Sequence, residues 1–224
     1  MAVAHSASPY VTIYEISGTT FTKLTNPATL PANIAIGVSF SQNGQFMAVV
    51  HSASPYVTIY EISGTTFTKL SNPLSLPTGI GRGVSFSPNG QFMAVAHTTS
   101  PYLTIYEISG TTFTKLSNPS SLPADQGNGV SFSPNGQLMA VAHDGSPYVT
   151  IYEISGTTFT KLSNPSSLPT ATGYGVSFSP NDPLMAVAHS ASPYVTIYDV
   201  NDEYTLTMTD NVTISPAQLY LKAK

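Results

Sequence analysis

The chain has 224 residues with 41 % hydrophobic and only 8 % charged residues, a formal net charge of −4, and no cysteine, which excludes disulfides and thiolate metal sites. The seven basic residues are Arg82, Lys222, Lys224 and four lysines one repeat apart (Lys23, Lys69, Lys115, Lys161), so no basic patch forms that could follow a phosphate backbone, and no nucleic-acid partner is expected. No apolar run approaches the roughly 20 residues of a membrane-crossing helix and no basic segment leads into an apolar one at the N-terminus, so we expect no membrane insertion and no signal peptide.

Taken from the N-terminus, residues 1–5 (MAVAH), 10–16 (YVTIYEI) and 21–24 (FTKL) are short, rich in β-branched and aromatic residues and bounded by turn residues, which predicts three strands. Residues 25–36 (TNPATLPANIAI) form a long connection whose prolines forbid regular sheet. A fourth strand follows at 37–41 (GVSFS), and from there the pattern recurs with a period of 46 residues. One complete unit runs from Gly129 to Tyr174 and reads GVSFSPNGQLMAVAHDGSPYVTIYEISGTTFTKLSNPSSLPTATGY. Its SPNGQ segment predicts a hairpin, with Pro at the first corner and Asn-Gly supplying positive φ. The DGSP and SGTT segments join the next two pairs of strands.

A four-stranded antiparallel meander repeated at this spacing predicts a β-propeller, with a parallel solenoid as the structural runner-up. Naming the strands a to d from the axis outward gives five b strands, five c strands and four full a strands, around Phe40, Phe86, Phe132 and Phe178. Residues 211–224 (NVTISPAQLYLKAK) align with the a and b strands, Val212, Ile214, Ser215 and Pro216 standing where Val176, Phe178, Ser179 and Pro180 stand. The expectation is therefore one all-β domain over 1–224, a five-bladed propeller of four-stranded antiparallel blades with repeats starting near 1, 47, 93, 139 and 185. Residues 211–224 act as a closing strand in a circularly permuted ring, or as a C-terminal hairpin packed elsewhere. Closure would remove exposed strand edges; its failure would favour pairing with another copy, a homo-oligomer.

The segments 86–97 (FSPNGQFMAVAH) and 54–60 (SPYVTIY) resemble a WD-repeat propeller blade, and in particular the WD-repeat-like arrays of bacteriophage and prophage structural proteins. The resemblance covers residues 1 to about 200. It departs from the eukaryotic pattern in having no Trp-Asp and no Gly-His dipeptide, so that family's hydrogen-bond network is not implied. What it implies is a propeller fold with a scaffolding or binding role, as in a phage virion or tail-associated structural or receptor-binding component, in a virion or extracellular location.

An antiparallel meander brings the b–c and d–a connections to one end of every blade. The segment EISGTTFTKL is identical in four copies, whereas the d–a connection ends in ANIAI, TGIGR, ADQGN or TATGY, and the b–c connection reads SASP, TTSP or DGSP. Sequence differences thus gather on one face, where recognition residues are tolerated and where unconstrained loops also drift. Arg82, Asp125, Asn128, Asp144 and Tyr174 are its chemically distinctive residues and the candidates for binding a protein or a glycan there.

One histidine per copy (His5, His51, His97, His143, His189) ends strand b, and a ring of imidazoles would suit a metal or a pH switch. Strand b is not the innermost strand, so a structural role is expected, each histidine hydrogen-bonding a loop of its own or the next blade. No metal and no cofactor are expected. Glu and Lys across each c–d hairpin (Glu61 with Lys69, for instance) read as a surface ion pair, and the tyrosine pair Tyr56 and Tyr60 as blade packing.

No nucleophile elbow, phosphate loop, zinc signature or calcium loop occurs, and the titratable groups are mostly repeated, whereas a reaction needs an asymmetric set. We therefore expect a non-catalytic scaffold or binding module. The alternatives are a designed or truncated symmetric propeller without an evolved ligand and a glycan-binding lectin; a hydrolase comes last.

Overall fold

A computed structural model describes residues 1–181, 183–200 and the backbone of 206–208. Five antiparallel sheets follow one another along the chain, each a meander. The first contains β1 (Ala2–Ala4), β2 (Val11–Ser17) and β3 (Thr20–Lys23). The second contains β4 (Ala35–Phe40), β5 (Phe46–His51), β6 (Val57–Ser63) and β7 (Thr66–Lys69), and the third β8 (Gly81–Phe86), β9 (Phe92–His97), β10 (Leu103–Ser109) and β11 (Thr112–Lys115). The fourth contains β12 (Gly127–Phe132), β13 (Leu138–His143), β14 (Val149–Ser155) and β15 (Thr158–Lys161), and the fifth β16 (Gly173–Phe178), β17 (Leu184–His189), β18 (Val195–Val200) and β19 (Leu206–Met208). The strands β4, β8, β12 and β16 neighbour one another and form the inner wall. This is a five-bladed propeller-like array, as the repeat predicts. The expected closing segment, 211–224, lies outside the described residues.

The core lies between blades, because every strand b is apolar on both sides. In the second blade Met47 stands opposite Tyr60 and Ala48 opposite Ile59. Alternation then puts Met47, Val49 and Tyr60 on a leading face and Ala48, Val50, Val57 and Ile59 on a trailing face. The trailing face of each blade packs on the leading face of the next. Val11 and Ile13 meet Met47, Val49, Tyr60 and Phe67; Ala48, Val50, Val57 and Ile59 meet Met93, Val95, Tyr106 and Phe113. Edge-on ring pairs lock two of these junctions, Phe46 with Phe113 and Phe92 with Phe159, each with centroids 5.3 Å apart.

A polar latch accompanies each junction. The Tyr60 hydroxyl donates to the Thr29 carbonyl at 2.9 Å, Tyr106 to Ser75 at 2.8 Å, Tyr152 to Ser121 at 2.9 Å and Tyr198 to Ser167 at 3.0 Å. Every acceptor belongs to the d–a connection of the preceding blade, so each strand c holds its neighbour's long loop against the wall. Burial pushes all four phenols above their ordinary pKa, which keeps them neutral donors.

The turns follow the sequence signals. Gly44, Gly90 and Gly136 take φ of 71°, 72° and 71° in the Asn-Gly hairpins. At the b–c connection each Ser–Pro peptide is cis and the following tyrosine, Tyr56 for example at φ 67°, lies in the left-handed region. Strand c therefore begins at Val57, one residue after the predicted start. The expected Glu–Lys pair is corrected by the register. Glu61 stands opposite Thr68 and Lys69 opposite Tyr60, which puts acid and base on opposite faces. Three of the repeat lysines turn instead to the Asn-Pro loop, where Lys69 donates to Asn72 Oδ1 and Lys115 to Asn118 Oδ1 at 2.9 Å, and Lys161 to Asn164 Oδ1 at 2.8 Å.

Candidate binding face

The variable residues do not all sit in loops. The inner strands begin two residues earlier than the sequence suggests, and each carries a bulge at its second residue. Gly81 pairs with His97 and Gly83 with Ala96, so Arg82 is left out of the ladder; the bulges at Ile36, Asn128 and Tyr174 are equivalent. A bulged side chain is not tied to a cross-strand partner, which is why this position tolerates an aliphatic, a cation, an amide and an aromatic in four strands that all continue Gly-Val-Ser-Phe. Ile36, Arg82 and Tyr174 are exposed and Asn128 is buried.

Glycine after the bulge sets how closely these positions approach. A methyl group added at Gly83 would stand 3.0 Å from the Asn128 carbonyl oxygen, and one at Gly129 would stand 3.0 Å from Gly175 Cα and 3.2 Å from the Tyr174 carbonyl oxygen. The inner strands thus touch backbone to backbone. Ile36, Arg82, Asn128 and Tyr174 form a row, one in each of blades two to five, at the inner end of the loop face.

Asn128 is tied down on both sides. Its Nδ2 donates to Asp144 Oδ1 at 2.6 Å and to the Gly173 carbonyl of the next blade at 2.9 Å. Asp125 accepts the Gln126 amide at 2.7 Å through Oδ1, and the Asp144 amide donates to the Gln126 carbonyl at 3.1 Å. Of the five residues singled out in the sequence, Asp125, Asn128 and Asp144 are brought together in blade four, where Asn128 acts as a brace between blades. Arg82 and Tyr174 flank them in blades three and five. Ile36 completes the row without a sequence signal, because in ANIAI an alanine replaces the first glycine of the Gly-X-Gly pattern that marks the other bulges.

The histidines lie beneath this face. In every blade Nε2 pairs with the strand-c threonine hydroxyl, His5 with Thr12 at 3.0 Å and His51 with Thr58, His97 with Thr104, His143 with Thr150 and His189 with Thr196 at 2.9 Å, so each ring is anchored to its own sheet. His189 additionally has Thr170 Oγ1 at 3.3 Å from Nδ1. Burial holds His97 and His143 down to about 4 and lowers His51, so these imidazoles are neutral at pH 7. Among the described residues no three His, Asp or Glu side chains stand close enough to share a metal ion. Two grooves of about 460 and 380 Å³ lie elsewhere, on the outer rim between an Asn-Pro loop and the next blade's outer strand, where Asn26 and Pro27 face Lys69 and Asn72 and Pro73 face Lys115.

No family model and no curated protein matches the sequence. Solved structures do resemble its fold, and they are of the propeller type. A proposed 6-phosphogluconolactonase of Bacteroides uniformis superposes with a TM-score of 0.72 at 13 % identity, over 92 % of this chain and 66 % of its own. A functionally unknown protein of Desulfotomaculum acetoxidans gives 0.69 at 14 % identity, over 88 % and 61 %. Sqt1 of Chaetomium thermophilum, bound to the N-terminus of the ribosomal protein L10, gives 0.64 at 17 % identity, over 88 % and 54 %. The chain thus spans between half and two thirds of the length of these structures.

Proposed function

We propose that the protein is a non-catalytic propeller scaffold that binds a protein segment across its b–c and d–a loop face. One observation carries this reading: residues that build the blades repeat, while the bulge residue that does no pairing differs in each of the four blades whose inner strand is described, as Ile36, Arg82, Asn128 and Tyr174. An aliphatic group, a cation, two half-buried carboxylates at Asp125 and Asp144 and an exposed aromatic ring suit a peptide, whose side chains vary in the same way. That Sqt1 holds the N-terminus of another protein on this fold supports the class of ligand. The setting, a virion or tail-associated component, rests on the sequence resemblance alone.

The test is a random-peptide library selected on the purified protein. Selected peptides are expected to bind at least tenfold more weakly to Arg82→Ala and Tyr174→Ala, and equally well to Thr111→Ala at the opposite end of the blade. Equal binding by all three variants would overturn the assignment of the face. A glycan array that responds, and loses its response in Tyr174→Ala, would replace the peptide reading with a lectin.

A further inference from the structure

Among the described residues, the two ends of the array are left uncovered in complementary ways. In blades two to four the outer-strand phenylalanine of the leading face is sealed by the blade before it, Phe67, Phe113 and Phe159 being 5–8 % exposed, whereas Phe21 in blade one is 54 % exposed. Val3 and Ile16 on the same face are exposed as well, at 43 % and 51 %. At the other end, Val195 is 47 % exposed where Val57 and Val149 are fully buried, and Ala188 is exposed where Ala142 is not. Gly175 tells the same story at the inner wall: a methyl group there would meet nothing within 4 Å, whereas Gly129 is met by the next inner strand.

We infer that the leading face of blade one and the trailing face of blade five bind one another between two copies of this chain, head to tail. The occupant is identified by the interface the chain already builds. The four internal junctions join a trailing set such as Phe92, Ala94, Ala96, Leu103 and Ile105 to a leading set such as Met139, Val141, Tyr152, Ile154 and Phe159, with aliphatic exchanges such as Val50 for Ala96 and Val200 for Ile154 in the others. The uncovered trailing face presents Leu184, Ala186, Ala188, Val195 and Ile197, and the uncovered leading face Met1, Val3, Tyr14, Ile16 and Phe21. These are the two halves of one more such junction, with Phe21 meeting Leu184 as Phe159 meets Phe92. Because the two halves differ, the contact is heterologous, and each copy offers one of each.

The test uses the 224-residue chain. Sedimentation velocity from 1 to about 100 μM is expected to show assemblies larger than the monomer that grow with concentration. Phe21→Glu blocks the leading face and Val195→Glu the trailing face. A buried unpaired carboxylate should weaken the contact at least about tenfold, leaving each variant alone monomeric. Mixed in equal amounts they should form a dimer and nothing larger, since one sound face of each kind remains. Circular dichroism confirms that both variants are folded. A wild-type chain that stays monomeric throughout, or variants that fail to pair while the wild type associates, would overturn the inference. So would a monomer that associates only after residues 209–224 are removed, since that segment would then be the cover.

Discussion

The neutral histidines make stability fall with acid in a calculable way. An ordinary imidazole takes its proton near 6.5, while His97 and His143 in the folded chain hold off until about 4, chiefly because burial desolvates the charged form. Between these values the unfolded chain binds more protons than the folded one, so the stabilisation is complete above about pH 6.5 and is lost as the pH falls towards 4. Each histidine contributes a slope of about 1.4 kcal/mol per pH unit within that window, or about 3 kcal/mol across it. His51 adds to this in the same direction. Urea denaturation at half-unit steps from pH 7.5 to 4.5 should therefore show the midpoint flat above neutrality and falling below it, with the folded imidazole proton resonances of His97 and His143 unmoved until the lowest pH. A midpoint that does not change between pH 6.5 and 4.5, or resonances that titrate near 6.5, would refute the claim that these rings are sealed.

The repeat allows matched substitutions whose outcomes should differ by position alone. Gly129→Ala drives a methyl group against the backbone of Gly175 and Tyr174 and should cost about 1–3 kcal/mol, while Gly175→Ala, with open space around it, should change stability by under about 0.5 kcal/mol. Phe113→Ala empties a sealed junction and should cost about 3–5 kcal/mol, against about 1 kcal/mol or less for Phe21→Ala, exposed in the single chain, both read from urea midpoints at dilutions where the chain is monomeric. Tyr106→Phe removes one latch to Ser75, whose chain is open to water, and should cost about 0.5–1.5 kcal/mol with no change in the denaturant slope.

The blades were legible in the sequence because their signals are local and repeated. Asn-Gly and Ser-Gly turns bracket apolar segments too short for helices, and copy after copy agrees. What escaped was whatever depends on a neighbouring blade or on backbone geometry. Arg82 and Tyr174 read as loop residues because Gly-X-Gly looks like a turn; only the pairing of β8 with β9 and of β16 with β17 shows a bulge inside a strand. Ile36 carried no signal, being aliphatic between an alanine and a glycine. The structural role of the histidines is legible, but their strand-c partner is not, because nothing in His51 and Thr58 as letters shows that they face one another across a hairpin, while His189 also reaches a loop side chain, Thr170. Glu61 and Lys69 lie near one another across the c–d hairpin in the sequence reading, and strand alternation puts them on opposite faces.

The near-identity of the blades also leaves the sequence with little to say about which strand belongs to which sheet. β6 would find in β11 the same partners that it finds in β7, since both read Thr-Phe-Thr-Lys. Side-chain chemistry does not tell the right hairpin from one drawn across a whole repeat, and chain entropy has to decide. Closing a loop lengthened from a few residues to about 50 costs roughly 2 kcal/mol more, at about 0.6 kcal/mol per doubling. That margin favours native pairing only about thirtyfold for each hairpin, so the order in which the strands emerge during synthesis becomes part of how the protein selects its fold.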